Sequence, residues 1–103
     1  MRTDASDRVF EQAAELFALL STPARLRIVC ELRKGEKSVS ELLGHIRISQ
    51  PNMSQHLGAL HRTGIVGRRR VGTKVYYRID SERALLLCDA VCAGTASQPD
   101  AAR

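Results

Sequence analysis

A chain of 103 residues is enough for one domain with a modest core, and its 44% apolar content excludes wholesale disorder. The 16 Lys+Arg against 11 Asp+Glu leave a net charge of +5, the sign expected of a protein that meets a polyanion. No apolar run reaches membrane-spanning length and Met1-Arg2-Thr3-Asp4-Ala5 lacks the apolar stretch of an export signal, so a cytoplasmic protein with no membrane partner is expected.

From Ser6, the spacing of Val9, Phe10, Ala13, Leu16, Phe17 and Leu20 predicts an amphipathic helix of about four turns. Thr22-Pro23 opens a second helix by the N-cap-then-proline rule, with Leu26, Val29, Cys30 and Arg33 on its inner face, and Lys34-Gly35 ends it. Ser38-x-x-Glu41 is a capping box before Val39, Leu42, Leu43 and Ile46, which recur at helical spacing. Ser49 caps a fourth helix with Pro51 in its first turn. Met53, Leu57 and Leu60 fall on one face of that helix, and Pro51, Asn52, Gln55, Ala59 and Arg62 on the other. A helix that packs on one side and shows amides and an arginine on the other is built to read something polar. The economical interpretation is a helix-turn-helix, with Ser49–Arg62 as its recognition helix.

Thr63-Gly64 stops that helix. Ile65-Val66 leads into Arg68-Arg69-Arg70, Gly72-Thr73 makes a tip, and Lys74 precedes the returning strand Val75–Ile79. A hairpin this basic after a helix-turn-helix is a wing, and it must lean on the helices through Ile65, Val75, Tyr77 or Ile79 to be stable. Asp80 or Ser81 caps a last helix with Ala84, Leu85, Cys88, Val91 and Cys92 on one side. The expected fold is mainly α with a β-hairpin wing, in the order α-α-α-α-β-β-α. One DNA-binding and dimerisation domain spans residues 6–93, and a disordered tail spans residues 94–103.

Three stretches resemble the ArsR/SmtB family of small bacterial winged-helix repressors: Leu20–Ile28, Ser49–Leu57 and Gly72–Arg78. The resemblance covers roughly Phe17 to Cys92. It implies a homodimer formed through the first and last helices, two recognition helices in successive major grooves of double-stranded operator DNA, and wings beside them. It also implies an inducer, either a metal ion, a metalloid or a reactive sulfur or oxygen species, that releases the DNA.

Asn52 and Gln55 are the expected base readers, because each amide presents a donor and an acceptor together, the pattern adenine shows in the major groove. Gln50, Ser54 and Arg62, with Arg68, Arg69, Arg70 and Lys74 of the wing, are expected at phosphates. His56 is expected either at a phosphate or in a hydrogen bond within the domain. Catalysis is not expected: no nucleophile–base–orienter set, phosphate-cradling glycine loop or paired carboxylates occurs.

The family's zinc-type site needs Asp-x-His and His-x-x-His on the last helix, which here holds no histidine, and its metalloid site needs Cys-x-Cys where this chain has Ser40-Glu41-Leu42. His45, His56 and His61 show no ligand spacing. No resident cofactor is therefore expected. There remain Cys30, Cys88 and Cys92, the last two one turn apart on one helix face. Cys30 matches the first reactive cysteine of the sulfide-responsive, BigR- and SqrR-like branch. The leading expectation is a thiol switch at Cys30 with Cys88 or Cys92. The alternatives are a three-sulfur cage for As(III) or another thiophilic ion, and plain packing of small apolar side chains.

Overall fold

The structure, a computed structural model, describes residues 5–96. Five helices and three strands follow one another as α1 (Ala5–Leu19), α2 (Pro23–Arg33), β1 (Lys37–Ser38), α3 (Val39–His45), α4 (Gln50–Arg62), β2 (Val66–Val71), β3 (Lys74–Ile79) and α5 (Glu82–Ala96). This is the expected winged helix-turn-helix with one added element. The two-residue β1 pairs antiparallel with β3, Lys37 opposite Tyr77 and Ser38 opposite Tyr76, so the hairpin becomes a three-stranded sheet of order β1-β3-β2. Two residues carry no periodicity, so the sequence pattern could not reveal them.

The helix starts are built from local chemistry. Thr22 Oγ1 accepts from the Arg25 amide at 3.2 Å, ahead of Pro23 in the first turn of α2. Ser38 Oγ accepts from the Glu41 amide at 3.2 Å while Glu41 Oε1 accepts from the Ser38 amide at 2.8 Å, which completes the capping box. Ser49 Oγ accepts from the Asn52 amide at 3.2 Å. Ser81, rather than Asp80, caps α5 by accepting from the Ala84 amide at 3.1 Å, since the Asp80 carboxylate is taken by Arg78 Nε at 3.0 Å.

The core lies where α2, α3, α4 and α5 meet the sheet. It contains Ile28, Val29 and Leu32 of α2, Leu42, Met53, Leu57, Leu60, Ile65, Val66, Tyr77, Ala84 and Cys88. The expected inner face of α2 omits Ile28 and Leu32. That helix is covered on more than one side, by α5, β3 and α3, so its buried arc is wider than a single stripe. The hairpin seats on the core through buried Ile65 and Tyr77, with Val75 and Ile79 packed behind them. Its tip turns at Gly72, whose φ of +63° lies in the left-handed region that glycine tolerates.

α1 sends Leu16 and Leu19 to this core but leaves Phe10 74% and Phe17 60% exposed, and α5 leaves Leu86 62% exposed. Helix α5 runs to Ala96, so the boundary expected at residue 94 falls inside the helix; the rest of that tail, residues 97–103, lies outside the described residues. No helix among the described residues is long and apolar enough to cross a membrane.

Candidate nucleic-acid interface and thiol cluster

α4 is held by its inner face: Met53, Leu57 and Leu60 are fully buried. Its opposite face is free to contact a ligand, with Gln50, Asn52, Ser54, Gln55 and Arg62 all exposed. The Arg62 side chain lies back along the helix over Gly58. Gln50 at the start of α4 and Lys74 beside the tip of the wing line one shallow groove, together with Ser40 and Thr73. Chain reversal through β2 and β3 therefore brings the wing's lysine beside the beginning of the recognition helix.

Strand alternation sorts the wing's arginines. Arg68 and Arg70, opposite Tyr77 and Val75, share one side, while Arg69, opposite Tyr76, takes the other. All three are exposed. Arg69 is not a free cation, however. Its Nε and Nη2 donate to the two carboxylate oxygens of Glu36, each at 2.8 Å, and its guanidinium stacks over the Tyr76 ring at 6.0 Å. The hydrogen bonds to Arg69 hold the Glu36 carboxyl below the usual carboxylate range. Arg69, expected at a phosphate, thus has its charge matched by Glu36 within the domain in the absence of DNA. Glu36 carries no signal in the sequence, because its partner lies 33 residues away.

His56 makes a hydrogen bond within the domain, one of its two expected roles. Its Nδ1 accepts from Arg25 Nε at 3.0 Å, and Arg25 Nη1 also donates to the Leu19 carbonyl at 3.3 Å. Arg25 thereby ties the end of α1 and the start of α2 to the recognition helix. Burial first, and the Arg25 charge second, lower the His56 pKa from its ordinary value.

The three cysteines, separate in sequence, converge where α2 packs along α5. The Cys30 thiol is close enough to those of Cys92 and Cys88 for both to influence its titration. All three are unbridged; Cys88 is fully buried, and Cys30 and Cys92 are half-buried. Burial first, then the neighbouring thiols of Cys92 and Cys88, push the Cys30 thiol well above its ordinary value. Burial likewise raises Cys88. Arg33 of α2 pairs with Asp89 of α5 beside the cluster. Among the described residues no group of three or more His, Cys, Asp or Glu side chains is arranged to hold a metal ion.

Residues 22–67 match the sequence profile described as "Bacterial regulatory protein, arsR family". The chain is 39% identical over 89 residues to the biofilm growth-associated repressor of Agrobacterium fabrum, spanning 86% of this chain and 76% of that one. Among solved structures it is similar to the transcriptional repressor BigR of Xylella fastidiosa, with a TM-score of 0.79 and 40% identity over 88% of this chain and 93% of that one. It is also similar to the homodimeric winged helix-turn-helix DNA-binding domain of a possible ArsR-family regulator from Mycobacterium bovis, with a TM-score of 0.74 and 30% identity over 94% and 89% of the two chains. With a capped and half-buried recognition helix, a basic wing and these relatives, the chain belongs to the arsR family of bacterial regulatory proteins.

Proposed function

We propose that the protein is a homodimeric repressor that holds operator DNA while its thiols are reduced and releases it when Cys30 is oxidised against a cysteine of α5. The observation that carries the DNA-reading part is the division of α4: one face is locked in the core while Asn52 and Gln55 stand exposed on the other, and Lys74 of the wing shares a groove with Gln50 at the helix start. A protein with this role works in the bacterial cytoplasm, where the chromosome is. The dimer is supported by the exposed Phe10, Phe17 and Leu86, a first-and-last-helix surface too apolar for a lone domain, and by the homodimeric relative.

The switch is supported by the nearness of Cys30 to both α5 thiols, each of which influences its titration. A persulfide donor RSSH and two protein thiols give a protein disulfide, RSH and hydrogen sulfide, with two electrons passing from the thiols to the donor. The new bond shortens the distance between α2 and α5. α5 belongs to the proposed dimer face, so a shift there changes the separation of the two recognition helices.

The test is selection of duplexes from a random pool by the reduced protein. The expected product is a symmetric site whose halves lie about one helical turn apart, bound by one dimer. Gln55→Ala should lose the selectivity with its fold intact. Recovery of no preferred sequence, or binding that ignores salt, would overturn the reading.

A further inference from the structure

A groove of about 470 Å³ lies alongside the thiol cluster. Two of its wall residues are the thiols of Cys30 and Cys92, while the fully buried Cys88 is not on its surface. Leu26 and Val91 supply an apolar floor. Arg27, Arg33 and Lys34 supply three cationic groups, and among the described residues no carboxylate lines it. Two of the cations have acidic partners outside the lining, Arg33 with Asp89 and Lys34 with Glu31. Arg27 has no ion pair among the described residues, and its guanidinium only reaches the His45 carbonyl at 3.5 Å. The groove therefore carries a net positive charge next to two sulfur atoms.

We propose that this groove is a docking site for small anionic molecules bearing a disulfide or persulfide bond, which it presents to Cys92 for attack, with Cys30 as the resolving thiol. The proposal rests on the thiol-switch reading and specifies its ligand. The order of attack follows from placement. Cys88 is fully buried and does not line the groove, while Cys30 lines it next to Cys92 and, held protonated by burial, reacts best once a neighbouring sulfur has been activated. With a symmetric disulfide XSSX, the Cys92 thiolate attacks one sulfur and expels XS⁻, leaving Cys92–S–SX. Cys30 gives its proton to the expelled thiolate and attacks the Cys92 sulfur, expelling the second XS⁻. Two thiols and XSSX thus become one protein disulfide and two XSH, with two electrons transferred. Positive charge at the mouth raises the encounter rate of an anion and stabilises the leaving thiolate.

The test uses the reduced full-length protein without DNA, so its outcome is independent of whether oxidation releases an operator. Rates of thiol oxidation are measured with dithiobis(nitrobenzoate), which bears a carboxylate on each ring, and with neutral dithiodipyridine. Each rate is divided by that of the same reagent with uncharged N-acetylcysteinamide. The normalised preference for the anion should be about tenfold at low salt and should shrink as salt is added. Arg27→Gln and Lys34→Gln, both at exposed positions, should each cut it several-fold, and Arg27→Glu should cut it further. Cys30→Ser should accumulate a mixed disulfide that peptide mass mapping places on Cys92. A preference near one in the wild type, a preference that survives in the Arg27→Gln, Lys34→Gln double variant, or an adduct mapped to Cys88 would overturn the proposal.

Discussion

Glu36 grips Arg69 with both carboxylate oxygens, closing a fork between the residue before β1 and the middle of β2. The wing therefore offers DNA fewer free charges than its run of three arginines implies. Replacing Lys74 or Arg70 with Gln should flatten the slope of log K against log salt by about one unit for each cation removed from a phosphate. Arg69→Gln should change it much less, and Glu36→Gln should steepen it by returning Arg69 to the DNA. Anisotropy titrations across salt concentrations would decide this. An Arg69→Gln effect as large as that of Lys74→Gln would mean that DNA outcompetes Glu36.

Asn52 and Gln55 are exposed on the outward face of α4 and carry matched donor–acceptor pairs. Each alanine substitution should cost specific binding about 1–3 kcal/mol while leaving affinity for random duplex nearly intact. Equal losses on both DNAs would show that these amides position the protein without reading bases.

Ser38 is buried, caps α3 and pairs across to Tyr76, so one residue joins the helix-turn-helix to the sheet. Ser38→Ala should lower stability by about 1 kcal/mol, seen as a lower urea midpoint with an unchanged slope. A midpoint equal to wild type would show that the cap contributes nothing to the folded state.

Starts and stops of helices are legible in the sequence because their chemistry is local. Thr22-Pro23, Ser38-x-x-Glu41 and Ser49-x-Pro51 each act within four residues, and each caps the helix that its pattern predicts. The split of α4 into a buried and an outward face is readable for the same reason, since period alone determines it. What escapes is non-local. Glu36 with Arg69 and Arg25 with His56 are pairs that only the fold brings together, and β1 exists only because β3 lies beside it. The family resemblance implies that Cys30 lies near α5, but not that both α5 thiols lie close enough to influence it at once.

The Arg25–His56 bond gives the recognition helix a pH dependence. His56 is held below the ordinary imidazole value of about 6.5, so the unfolded chain takes up the proton first as pH falls. Its contribution to stability is complete above that value and is lost as pH drops through it toward the folded pKa. Glu36 and Glu41, held below the usual carboxylate range, matter only in more acidic solution. Urea unfolding from about pH 7 to 5 should show wild type losing stability on acidification, with a shallower loss in His56→Gln. Identical pH profiles would remove His56 as the cause.

The proposed role of Cys30 is to convert a chemical signal into loss of DNA binding. The most direct measurement is anisotropy of a selected operator duplex bound by reduced wild type and by Cys30→Ser, before and after treatment with glutathione persulfide. Equal affinity is expected when both are reduced, with release of wild type after treatment and a Cys30→Ser protein that stays bound. Release of Cys30→Ser to the same extent as wild type would contradict it and leave Cys30 as packing. Release of wild type by As(III) but by no persulfide or peroxide, with every single Cys→Ser variant blind to it, would contradict it in favour of a three-thiolate cage.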